Sequence, residues 1–119
     1  MKELYPPKVR RAVDALLTNP GVCTPELRAS VEAYAAALWG GARQGQELPE
    51  DIAGYVKKVA LHAYETTDED IAALKAAGYS EDAIFEITLC ASMGAGLALM
   101  ERGLAVLQGK EVSDAPQNP

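Results

Sequence analysis

The 119-residue sequence is poor in the side chains that most often carry chemistry: it holds one histidine, one tryptophan, one phenylalanine and two cysteines. Each shortage excludes something. With His62 as the single histidine there is no HExxH zinc motif, and no other metal-ligand spacing is present. Cys23 and Cys90 lie far apart and form no CxxC, so both are expected as free thiols in a reducing compartment. Lysine and arginine total 11 against 17 acids, a net charge of −6. The sole basic cluster is Lys8-Arg10-Arg11, and nucleic acid is excluded as a partner because phosphate neutralisation needs a concentrated basic face. No GxSxG elbow or Gly-rich phosphate loop occurs, and no cofactor is implied. After Met1 the stretch Lys2–Pro7 lacks the apolar core of a signal peptide, so the expected setting is cytoplasmic. Period-two alternation and Asn-Gly or Asp-Gly hairpin signals are both missing, which argues against a sheet.

What is present is ordinary globular material, 49% apolar and 24% charged, enough for one domain with a core. Its organising stretch opens at Ser80-Glu81-Asp82, a hydroxyl N-cap followed by acids that suit the positive end of a helix dipole. From Ile87 to Met100 there is no charge. A helix apolar on every side is expected to be covered on every side. At 1.5 Å per residue the run is roughly 21 Å long, shorter than the ~20 residues of a membrane span, so no membrane is expected. The helix is predicted over 80–108 as the pillar of an all-α protein, and Gly94-Ala95-Gly96 marks a close helix crossing or a subunit contact.

Four shorter helices precede it. Val9, Val13, Leu16 and Leu17 repeat at helical spacing up to a stop at Thr18-Asn19-Pro20-Gly21. Thr24-Pro25-Glu26 restarts the chain as N-cap, N1 proline and first-turn acid, with Leu27, Val31, Tyr34, Ala35 and Leu38 as the buried stripe up to Trp39-Gly40-Gly41. After a polar loop, Pro49-Glu50-Asp51 opens a third helix with Ile52, Val56, Val59, Ala60 and Ala63 inward and Lys57 and Lys58 in solvent. Thr67 with Asp70 reads as a capping box, and the helix behind it ends at Gly78. Residues 1–109 form one domain and 110–119, with two prolines, a loose tail.

The stretch from Tyr64 to Ile87, with its helix ending at Gly78, the Ser80-Glu81-Asp82 cap and the long Ala/Gly-rich helix from Ile84 to Leu107, resembles the carboxymuconolactone decarboxylase superfamily, which includes AhpD-like alkylhydroperoxidases. The resemblance covers roughly residues 50–108. It implies an all-α AhpD-like fold, assembly as a homo-oligomer (trimer or hexamer), and peroxide or small-molecule chemistry. The redox branch carries a CxxC followed by a histidine, in which one thiol attacks the peroxide and the second closes a disulfide. Counted back from Gly78, the histidine place is Asp70 and the cysteine places are Thr66 and Ala63, so the thiol chemistry is missing. The decarboxylase branch keeps the same histidine, also absent. The family's relay carboxylate falls on Asp51 or Glu50.

Any catalysis is thus expected from other side chains. His62 has Glu65 three residues on, an acid–base pair in one reading and a helix-end histidine matched to the dipole in the other. Tyr64 and Tyr55 flank it as hydroxyl donors or as packed rings. Glu86, one turn into the long helix, faces either a pocket with His62 or solvent. Asp68, Glu69, Asp70, Glu81 and Asp82 are explained by two helix starts without a metal. Cys90 reads as a buried hydrophobe, whereas Cys23, just ahead of a helix N-terminus, is placed where a thiol pKa falls. Three functions follow: AhpD-like small-molecule chemistry without the cysteine pair, a non-catalytic oligomeric module binding a small apolar ligand or a partner protein, and a lactone decarboxylase-type acid–base enzyme.

Overall fold

In a computed structural model, residues 6–40 and 47–109 are described. They form five α-helices and, among these residues, no strand: α1 (Pro7–Thr18), α2 (Pro25–Leu38), α3 (Glu50–His62), α4 (Asp68–Ala76) and α5 (Glu81–Leu107), with a single 3₁₀ turn at Ala63–Glu65. The protein is all-α, as the absence of period-two alternation indicated. The loop at 41–46 and the tail at 110–119 lie outside the described residues.

Local chemistry sets the boundaries. The Thr24 hydroxyl accepts from Leu27 N–H at 3.1 Å and Ser80 from Ala83 N–H at 3.1 Å, each satisfying a helix-start donor. Thr67 and Asp70 complete the capping box reciprocally. α4 ends with Gly78 at φ +103°, while Gly78 N–H donates to Lys75 O and Tyr79 N–H to Leu74 O. Those two bonds form a Schellman closure, which turns the chain straight into the Ser80 cap.

The α1–α2 turn is closed by side chains that periodicity did not mark. The carbonyl of Leu16 would ordinarily take the N–H four residues on, but that residue is Pro20 and has none. Arg28, buried on α2, donates to Leu16 O at 2.6 Å instead.

The core is one cluster built from Val31, Ala35 and Leu38 of α2, Ile52, Val56 and Val59 of α3, Leu74 of α4, and Ile84, Ile87, Cys90, Ala91 and Ala95 of α5. α5 makes its largest contact with α2 and its next largest with α3. At Gly94 the two main helices nearly touch: a Cβ there would lie 2.2 Å from the backbone oxygen of Glu32. No residue of α1 is buried, although Leu16 and Leu17 lean on the core. Ala63, expected inward, is exposed, because α3 ends at His62 and the 3₁₀ turn rotates it away.

Two expectations for the long helix change. It is 27 residues long, and by length and composition alone could cross a membrane, with 50% of its most apolar window buried inside the fold. It is also not covered all round. Phe85, Leu89, Leu99 and Val106 are exposed, since the four shorter helices wrap only the faces of α5 that they meet.

Candidate functional site

Glu86 sits in a cradle of its own. Its two carboxylate oxygens accept from Val22 N–H and Cys23 N–H, both at 2.8 Å. A Cβ on Gly21 would fall 2.8 Å from one of those oxygens, so glycine is what lets the carboxylate in. These amides lie just ahead of α2 and would otherwise lack partners. The hydrogen bond from Val22 is the main reason the Glu86 carboxyl is held below its ordinary range. Glu86 therefore pins the α1–α2 turn to α5.

The same carboxylate reverses the expectation for Cys23. The thiol is buried and donates to Ala83 O at 3.6 Å. Burial first, then the adjacent Glu86 charge, push its pKa up. Cys90 is fully buried and pushed up to about 12 by desolvation. Neither thiol is activated.

His62, Tyr64 and Glu65 share the exposed end of α3 and the 3₁₀ turn behind it. The His62 ring meets Tyr64 edge-on, centroids 6.1 Å apart. Tyr64 is 83% exposed. No hydrogen bond or ion pair joins His62 to Glu65 among the described residues, and all three side chains are exposed. His62 occupies the last turn of α3, where the dipole favours a cation. Glu86 is held at the α1–α2 turn and is not brought together with them.

Chemistry-bearing side chains do converge elsewhere. An open groove of about 400 Å³ runs between α3 and α4, lined by Asp51, Gly54, Tyr55, Lys58, Asp70, Ala73, Leu74 and Ala77. The two helices place these groups because α4 folds back along α3 after the Thr67 cap. Lys58 Nζ lies 3.0 Å from each carboxylate oxygen of Asp70, and Asp70 also accepts from Thr67 N–H at 2.9 Å. The Lys58 hydrogen bond, and then the Thr67 one, hold the Asp70 carboxyl below its usual range.

At the other end of the groove Asp51, exposed, accepts from the Tyr79 hydroxyl at 2.8 Å. Burial and then that bond push the Tyr79 phenol up. The Tyr55 hydroxyl is 2.7 Å from the Thr88 oxygen. Thr88 spends its one proton on Ile84 O at 2.7 Å, so Tyr55 is the donor and Thr88 the acceptor. Tyr55 thus lines the groove without offering it that proton.

The groove has a small apolar side (Gly54, Ala73, Leu74, Ala77), one neutralised ion pair, and one carboxylate with acceptor capacity remaining. It can seat a compact molecule and hold a hydrogen-bond donor or a cation at Asp51. Lys58 was expected in solvent, and Asp70 was read as a capping-box residue and as the resemblance's histidine place. Their pairing joins residues twelve apart on different helices, and no spacing rule within one helix reveals it. Compared with known proteins, the chain matches no family model, no curated protein and no solved structure.

Proposed function

We propose that this chain is a helical protein that binds a compact small molecule in the groove between α3 and α4, without the thiol chemistry of the AhpD-like proteins it resembles. The ligand class is neutral or cationic. An apolar body rests on Tyr55, Ala73 and Leu74, and a donor or ammonium group meets Asp51. One observation carries the reading: Asp51, Tyr55, Lys58 and Asp70 line one groove of about 400 Å³, within the range of small-ligand sites. Asp70 is also the position that the resemblance aligned with the histidine, and Asp51 is one of the two, with Glu50, that it aligned with the relay carboxylate. Since Lys58 and Asp70 neutralise each other, the charge left over in the groove is negative, which disfavours an anion. Binding rather than turnover is the reading, because Asp70 is saturated by Lys58 and Thr67 and has no proton to exchange near neutral pH.

Benzylamine, benzyl alcohol and benzoate share one ring and differ in charge, so they test the proposal together. In ¹H–¹⁵N spectra, benzylamine should shift the amides of Gly54, Ala73 and Ala77 most, benzyl alcohol less and benzoate least. Asp51→Asn should remove the preference for the amine, and Ala73→Trp, which fills the groove, should remove all three responses. Equal shifts from the three compounds, or responses unchanged by Ala73→Trp, would refute it.

A further inference from the structure

We propose that α5 pairs with α5 of a second copy of this chain, antiparallel about a two-fold axis, with the helices crossing at Ser92 and Gly96. The observations are confined to the outer face of α5 and do not depend on the groove.

The exposed residues of that face are Phe85 (63%), Leu89 (39%), Leu99 (45%) and Val106 (58%), with Ser92, Gly96 and Gly103 exposed between them. Along the chain their spacing is four, three, four, three, four, three. That alternation is the seam of a left-handed helix pair, whereas a lone amphipathic helix has no reason to keep it on its solvent side. No charged residue falls on the seam from Phe85 to Val106, and the next position toward the N-terminus, exposed Asp82, lies at its outer end, opposite Val106 of the second copy in the antiparallel register.

The glycines add a second argument. Gly94 is required inside the chain, since a Cβ there would strike the backbone of Glu32. Gly96 and Gly103 are not: a Cβ on either meets nothing within 4 Å. Glycine is the poorest helix former after proline, so two of them at open positions of a long helix have no use within one chain. A second helix lying close against them supplies one.

Size and shape select the occupant. The seam and its flanks present on the order of 500 Å² of apolar surface per copy, and about 1,000 Å² over two copies reaches the lower bound of a specific interface. In an antiparallel pair each inward position faces the alternate position of the partner. Ser92 then meets Gly96 of the second copy, where the backbones approach. Leu89 meets Leu99 of the second copy on both sides of the crossing, and Phe85 covers Gly103 of the second copy. A parallel pair in register stacks Phe85 and Leu89 on themselves while leaving Gly96 opposite Gly96, crowded in one layer and empty in the next. It also aligns the two helix dipoles unfavourably.

A membrane surface fits less well. Interfacial helices carry lysine and arginine on their polar side, whereas α5 begins with exposed Glu81 and Asp82 and holds a single basic residue, Arg102, among its 27 residues.

The test has two arms. Light scattering after sizing at micromolar concentration should give twice the 12.6 kDa of one chain. Gly96→Leu should keep the helical spectrum and melting cooperativity, since nothing within the chain opposes the new side chain. It should weaken self-association at least ~30-fold, the effect of a central contact. A wild-type chain that stays monomeric, or that floats with phosphatidylserine vesicles instead of dimerising, overturns the proposal, as does a Gly96→Leu variant that dimerises unchanged. For orientation, Leu89→Cys and Leu99→Cys proteins are oxidised separately and mixed, and linked peptides are identified by mass spectrometry. A 89–99 cross-link that forms on mixing supports the antiparallel pair. Efficient 89–89 and 99–99 cross-links in the separate samples overturn it.

Discussion

Replacing Gly94 by alanine tests whether α2 and α5 are as close as the structure has them. The added methyl would sit 2.2 Å from the Glu32 carbonyl oxygen, 3.0 Å from its carbon and 3.1 Å from the Ala35 Cβ. The first two are backbone atoms of a helix and cannot swing aside, so the helices must separate along the largest contact in the fold. Overpacking of this kind costs about 3 kcal/mol, at the upper end of the usual range, because a backbone is what is struck. Alanine's better helix propensity returns ~1 kcal/mol, leaving a net loss of about 2. Gly54→Ala is the control. It lies in the interior of α3, and a Cβ there meets nothing within 4 Å, so the same substitution should stabilise by ~1 kcal/mol. The two variants should then differ by about 3 kcal/mol, or roughly 12 °C in melting temperature at ~4 °C per kcal/mol. Thermal melts followed by circular dichroism at 222 nm measure this directly. If Gly94→Ala melts within two or three degrees of Gly54→Ala, on the order of 1 kcal/mol or less, the close approach is wrong and the packing of α5 on α2 must be redrawn.

Acid should expose the role of Glu86. Its carboxyl is held below its ordinary value of 4.5, so the folded state binds that proton less readily than the unfolded state. The resulting stabilisation is complete above that value and is lost as pH falls through the lower folded value. Urea midpoints of wild type and Glu86→Gln, measured from pH 6 to pH 3, should converge toward the acid end, with the variant about 1–2 kcal/mol less stable near neutrality because one amide loses its acceptor. Asp70 and Glu81 are shifted the same way by Lys58 and Lys75 and will leave a residual slope in the variant. Both thiols should resist iodoacetamide in the native protein at pH 8 and react on addition of denaturant, Cys90 the slower of the two; fast native labelling would contradict their burial. His62→Ala should change stability by less than ~0.5 kcal/mol and leave the benzylamine response intact, and a loss of that response would return the exposed end of α3 to consideration.

Much of the architecture was legible because it is written in local chemistry. Thr24-Pro25, Thr67 with Asp70, Gly78 and Ser80 each determine a helix boundary through their nearest neighbours, and the structure places the boundaries there. The less legible features depend on residues far apart in sequence. Arg28 is buried because Pro20 leaves a carbonyl without its N–H, which appears only when α1 and α2 are folded together. Glu86 was open between a pocket with His62 and solvent, but its partners are the amides of residues 22 and 23, more than sixty positions away. Asp70 is the cap residue the sequence indicated, whereas Lys58, expected in solvent, is half-buried against it, and their meeting across two helices makes the groove. The exposed seam of α5 was hidden by its composition: apolar residues facing α2 and apolar residues facing solvent are alike in a sequence, and burial alone separates them.

The first helix has a consequence of its own. With no buried residue, α1 is fastened chiefly at its C-terminal end, by one guanidinium on a carbonyl and one carboxylate gripping the turn that follows. Such an attachment lets go like a latch: opening it exposes little of the core, so α1 should exchange its amide hydrogens through a cheap, local release while α2 and α5 exchange through complete unfolding.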